Sequence, residues 1–280
     1  MSLIQRVHTH QVGDAVRPDV GARLPPAPRD VFEAVRALRQ VTQTLRQLGD
    51  TRAIFPDIYG IITERVAGEI NGRTGFFKEP SFIARLAGRF AERYLETLRW
   101  SLQQTPQDCA AWGIAYRYST DARLVPLQHA ALGISAHINY DLAPGIYRTI
   151  CELGAARNPH LLRRFKHDHD KVNVLLEACV PPSLRTLAGV YQCRTSALVE
   201  RFSSSLRLTT RVAIGAISRW RERVWDNVVA LLDSPGERAR QRVIARMDAR
   251  AGFTGRLLAT SSAGGMFSRH RRMLHPLPLS

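Results

Sequence analysis

The stretch Arg29–Asp50, RDVFEAVRALRQVTQTLRQLGD, decides the fold class. Val31, Val35, Leu38, Val41, Leu45 and Leu48 recur at steps of three and four, so one stripe is apolar while arginines and glutamines cover the rest. A half-buried strand would alternate at every second residue, and no such alternation is present. Just upstream, RLPPAP closes a segment without periodicity, and residues 1–29 read as loosely ordered.

Downstream the same period returns. FPDIYGIITERVAGEING (55–72) opens near Pro56 and stops at Asn71-Gly72. In EPSFIARLAGRFAERYLETLRWSLQ (79–103), Phe82, Leu86, Phe90, Tyr94, Leu95 and Leu98 form a broad stripe after Pro80-Ser81. Further helices are expected at 126–142, 145–156, 168–179, 183–191, 195–232 with a break near Ser203–Ser205, and 235–258. Alternating β-branched runs are scarce. The expectation is an all-α, single-domain multi-helix bundle over residues 30–258, followed by a mobile basic tail, 259–280.

Composition narrows the function classes. A hydrophobic share of 45% with 8% aromatics is that of a globular chain. No run of about 18 apolar residues exists, so no membrane insertion is expected. The first residues lack the apolar centre of a secretory leader, which makes the cytoplasm the expected compartment. The four cysteines, Cys109, Cys151, Cys179 and Cys193, form no CxxC pair and read as reduced core thiols. The net charge is +16, with three lysines against 37 arginines. Residues 194–280 carry 16 arginines and six acids, but at helical intervals instead of in a compact run. No zinc-finger, RRM or helix-turn-helix pattern accompanies them, so nucleic acid is not the expected partner. Trp220 and Trp225, among Arg219, Arg221 and Arg223, read as a core helix with a solvated basic face.

The chemistry concentrates in PLQHAALGISAHINYDL (126–142). Pro126 suits a first helical turn, and Pro144 is expected to stop the helix shortly after Leu142. His129, Gly133, His137 and Asp141 follow one row, while Leu127, Ala131, Leu132, Ile134 and Ile138 cover the other faces. A buried imidazole and carboxylate need partners, so this row is either a satisfied polar seam or the wall of a site. His137 and Asp141, one turn apart, can share a proton, a water or a divalent metal. His129 lies about 12 Å further along the axis and cannot bind the same ion. Gly133 leaves room for a ligand or a closely packed helix.

A second cluster, FKHDHDKVNVLL (165–176), is the expected partner. Its consecutive His167, Asp168, His169 and Asp170 point in four directions, while Asp170 and Asn173 can share a face. Asp168 is a candidate third metal ligand beside His137 and Asp141, although an acid at a helix start also serves as a cap. The candidate catalytic residues are His129, His137, Asn139 and Asp141, and the candidate substrate-binding residues are Tyr59, Trp112, Tyr140 and Asn173. Walker A, GxGxxG, HExxH and GxSxG patterns are all absent.

FPDIYGIITERV, FFKEPSFIARLAGRFAERYL, PLQHAALGISAHINYDLA and DHDKVNVLL, in that order, resemble the blocks of a mainly actinobacterial family built on a domain of unknown function. Its central signature is similar to Q-H-A-x-x-G-x-x-A-H-I-x-x-D-L. The resemblance implies a compact helical domain over roughly residues 30–258 and no particular activity. It places His129, His137, Asn139, Asp141, Asp168 and Asn173 on signature positions, and departs at Ser135, where asparagine is expected. His137-x-x-x-Asp141-Leu142 also resembles one metal-binding box of the helical zinc phospholipase C and P1 nuclease group. A second such box and the N-terminal tryptophan ligand of that group are missing.

Three functions fit these residues. The first is an enzyme with a His/Asp acid–base or metal site acting on a small, partly apolar metabolite inside a helical bundle. The second is a non-catalytic small-molecule-binding protein using the same cavity. The third is a basic interaction module for nucleic acid or anionic surfaces.

Overall fold

The computed structural model describes residues 24–260 apart from 122 and 202. The expectations for residues 1–23 and for the tail beyond residue 260 lie outside the described residues. Within them every regular element is helical: α1 (Val31–Gln47), α2 (Ile54–Asn71) after a short 3-10 turn (Thr51–Ala53), α3 (Pro80–Leu102), α4 (Ala110–Arg117), α5 (Pro126–Ala136), a π-helical turn (His137–Asp141), α6 (Leu142–Glu152), α7 (Pro159–Gly189), α8 (Arg194–Arg201), α9 (Ser203–Leu232) and α10 (Glu237–Thr260). No helix among the described residues is long and apolar enough to cross a membrane.

Local chemistry sets the helix starts. Asp30 accepts hydrogen bonds from the amides of Phe32 and Glu33, both at 2.9 Å, a cap of about 1 kcal/mol. The buried face of α1 is Val31, Ala34, Ala37, Leu38, Val41, Thr42 and Leu45, the stripe read from the sequence except that Val35 is half-buried and Leu48 is exposed. This face packs on α2 and α3, α2 also packs on α7, and α10 closes over α4 and α5. The interior is one large apolar cluster that includes Leu38, Phe82, Tyr94, Trp112, Ile146 and Val228, with a small satellite around Ile54, Ile58 and Leu187.

The sequence boundaries are corrected in two places. The helices expected at 168–179 and 183–191 are one helix, α7, which begins at Pro159 under the Asn158 cap and runs through Pro181 and Pro182. Those prolines deprive the carbonyls of Glu177 and Ala178 of their donors. Both residues are exposed, so solvent is the available partner for the carbonyls and the helix continues through the prolines. Pro144 likewise does not end the second segment. It lies inside α6, and the carbonyl four residues back that its ring would strike belongs to Tyr140, in the π-helical turn. The wider turn absorbs the clash and joins α5 to α6. Cys109, Cys179 and Cys193 are buried thiols as expected, whereas Cys151 is exposed.

Candidate functional site

The π-helical turn carries the site. His137 Nδ1 lies 3.0 Å from Asp141 Oδ2. A carboxylate only accepts, so Nδ1 holds the proton and Nε2 keeps a bare lone pair. That Nε2 is buried and has no partner. Asp141 is itself held: Trp112 Nε1 donates to the same Oδ2 at 2.8 Å, and the Arg93 guanidinium stands 3.4 Å from Oδ1. Arg93 is fixed in turn by Asp108 and Glu96.

Aromatic rings fix the imidazole plane. His137 stacks on Phe90, with ring centroids 3.3 Å apart and planes 10° from parallel. Tyr59 and Phe55 meet it edge-on at 4.6 and 5.4 Å. Gly133 makes this enclosure possible: a Cβ there would come within 2.5 Å of the Phe55 ring. The room left at Gly133 is therefore filled by a neighbouring helix, the second of its two expected uses. Burial pushes the His137 imidazolium down and outweighs the raising effect of Asp141. The ring is neutral at neutral pH.

His137 lines a cavity of about 120 Å³ between α2, α3, α7 and α9. Most of its wall is hydrocarbon: Ile62, Val66, Ile83, Leu86, Val172 and Leu176 contribute. Several lining residues, such as Ile62, Val172 and Ile217, are only half-buried, so the cavity is not sealed. Its polar groups are few. The Tyr59 hydroxyl is buried without a partner, and burial pushes its phenol up so that it stays protonated. The Thr63 hydroxyl is spent on the Tyr59 carbonyl at 2.8 Å. His169 and Arg221 complete the wall.

The candidate residues separate. His137, Asp141 and Tyr59 come together as expected, although Asp141 reaches the cavity only through His137. Trp112 is not at the cavity wall and acts on Asp141. Tyr140 faces a separate polar groove with Arg93, Asp108 and Arg148. Asn139 turns away and donates to Ser135 Oγ at 3.1 Å, which gives the departure from the expected asparagine a local partner. His129 lines a different recess with Tyr94 and Trp112. Asn173 is not among the cavity-lining residues, and its buried side-chain oxygen has no partner.

Asp168 is corrected most strongly. It lies in the middle of α7, fully buried, and accepts the amides of Lys78 and Glu79 at 2.9 and 2.6 Å. It anchors the backbone of Lys78 and Glu79, the two residues that lead into α3, and does not start its own helix. No group of three or more His, Cys, Asp or Glu among the described residues could hold a metal ion, so the set His137, Asp141 and Asp168 does not assemble.

Sequence reading missed Arg93, His169 and Arg221. Arg93 left no signal among the charges of α3. Arg221 did: it interrupts the apolar series Ile217, Val224, Trp225, Val228, where a solvated arginine would not fall.

A family model described as a family of unknown function (DUF5995) matches residues 31–261. The chain belongs to that family. No curated protein and no solved structure matches it. Membership in DUF5995 accounts for the extent of the helical domain and leaves the chemistry to the residues around the cavity.

Proposed function

We propose that this protein is an enzyme that transfers a proton on a small, largely apolar molecule held in the cavity, with His137 as base and Asp141 as its orienting partner. One observation carries the reading: the imidazole that lines the apolar cavity has a buried Nε2 with no partner. A structural histidine satisfies both nitrogens, as His169 does here through Arg221. Leaving Nε2 bare costs about 1–3 kcal/mol, a sacrifice that a catalytic lone pair explains and a packing role does not.

The rest of the arrangement fits that role. Asp141 fixes the tautomer and stabilises the imidazolium formed when Nε2 accepts a proton. Trp112 and Arg93 hold Asp141 in line. The Tyr59 phenol is a donor beside the base, placed to hydrogen-bond an oxygen that gains charge. Among the described residues the cavity lining holds no serine or cysteine and a single threonine, which is engaged, so proton transfer is favoured over covalent catalysis. The four unpaired thiols suit the cytoplasm as the place of reaction.

The test is turnover of a panel of small apolar carbonyl compounds and esters in D₂O, read by NMR for deuterium uptake and for cleavage. At least one compound is expected to react, and His137→Gln should lower the rate by about 10²–10⁴-fold, as for loss of a general base. Panel members that bind in the cavity and emerge unchanged would establish a purely binding protein and overturn the proposal. So would turnover that His137→Gln leaves intact.

A further inference from the structure

The wall of the same cavity holds an unusual cation. Arg221, on α9, is a buried side chain, 6% exposed, and among the described residues no carboxylate forms an ion pair with it. The acid whose charge reaches it is Asp170, whose carboxylate is taken by Lys166 at 2.6 Å. Arg221 Nη2 donates to the carbonyl and to Nδ1 of His169, while His169 Nε2–H donates back to the Arg221 carbonyl at 3.1 Å. His169 is neutral: burial drives its imidazolium far down, and the Arg221 charge adds to the effect. This clasp fixes the guanidinium without neutralising it. Nε is left buried with no acceptor at all.

A buried guanidinium without a counter-charge is heavily penalised unless something supplies one. Burial lowers its pKa only to about 10, so at neutral pH it remains a cation. Its setting limits what can answer it. The surrounding wall is hydrocarbon from Val172, Leu176, Ile217 and Leu86, which a strongly hydrated dianion would not tolerate. One positive charge asks for one negative charge. The volume, about 120 Å³, is below that of an engineered cavity of about 150 Å³ that takes up benzene, so a benzene ring is the upper limit for the apolar body.

We infer that the cavity binds a monocarboxylate with an apolar body of about benzene-ring size, its carboxylate paired with Arg221 and its body directed towards His137 and Tyr59. This names the substrate class of the site proposed above and rests on that reading for its catalytic consequence, though not for the binding itself. The anchor and the base then line one apolar chamber from different helices. The carboxylate of the bound molecule is the handle, and the chemistry takes place elsewhere on it.

Calorimetry on the whole chain tests this with benzoate and hexanoate against benzyl alcohol and benzylamine, in wild type, Arg221→Met and His137→Gln. One or both acids should bind, and the alcohol should bind about 10–100-fold more weakly, the range set by losing a charge-assisted hydrogen bond. The amine should not bind. Arg221→Met should erase the preference for acid, and His137→Gln should keep it. Should Arg221→Met fail to fold, wild-type melting decides: the acids raise the Tm and the alcohol and amine do not. Equal binding of acid and alcohol, or an acid preference that survives in Arg221→Met, overturns the inference. Acid preference without turnover of any panel compound retains the carboxylate site and sinks the enzyme reading. Turnover of neutral compounds without acid preference does the reverse.

Discussion

Trp112 and His137 donate to one and the same carboxylate oxygen, Asp141 Oδ2, at 2.8 and 3.0 Å. The indole reaches it from α4 and the imidazole from the π-helical turn, so the orientation of the base depends on a residue that does not line the cavity. Trp112→Phe keeps an aromatic in the core and removes one donor. The freed oxygen then attracts the imidazolium more strongly, so His137 should titrate higher, an effect that histidine ring NMR would register. Binding of cavity ligands should be unchanged, while turnover falls by roughly tenfold. A His137 titration identical to wild type would show that Trp112 merely fills space.

Stability should depend on pH through three histidines. Burial lowers the imidazolium pKa of His129, His137 and His169, the last most strongly. In the unfolded chain each titrates near about 6.5. Above that value neither state is protonated at these positions, and their contribution to stability is complete. As the pH falls below it, the unfolded chain takes up protons that the folded chain refuses, and stability declines until the lowered folded values are reached. Urea midpoints should therefore be flat above neutrality and fall below about 6.5. His129→Leu, outside the proposed catalytic set, should make that fall shallower. Midpoints unchanged through the same window would contradict buried neutral imidazoles. Glu33 and Asp121 are held down at about 2 by Arg29 and Arg123, but as surface pairs whose arginines are exposed they add little and act at lower pH.

What the sequence revealed and what it hid have separate physical causes. The stripe Val31, Leu38, Val41, Leu45 was legible because one helix must bury one face whatever it packs against. The pairing of His137 with Asp141 was legible because both lie within one turn. Everything that depended on a second element was not. Asp168 sits mid-helix and holds the backbone that leads into α3, ninety residues away in sequence from Lys78. The use of Gly133 was open until Phe55 was placed against it. Arg93 looks like the solvated arginines around it, and only tertiary packing made it a clamp on Asp141; the place of Arg221 in an apolar series marks it as buried, but its lack of a counter-charge depends on the neighbouring helices. Pro144 misled because a proline ends an α-turn, whereas the turn before it is π-helical.

The stability of His137→Phe separates a catalytic from a structural dyad without any substrate. A phenyl ring keeps the stack on Phe90 and the edge contact with Tyr59, and the adjoining cavity accommodates its extra bulk. It loses the hydrogen bond to Asp141, but that carboxylate keeps Trp112 at Oδ2 and Arg93 beside Oδ1. It also removes the bare Nε2, whose burial costs about 1–3 kcal/mol. Gain and loss nearly cancel, so the variant should melt within about 4 °C of wild type, a change of roughly 1 kcal/mol for a domain of this size. An indispensable structural pair behaves differently, because breaking it leaves a buried charge uncompensated at about 3–5 kcal/mol. That corresponds to a loss of roughly 6–20 °C. A drop in that range would show that the burial of Asp141 depends on the hydrogen bond from His137, and the bare Nε2 would lose its catalytic meaning.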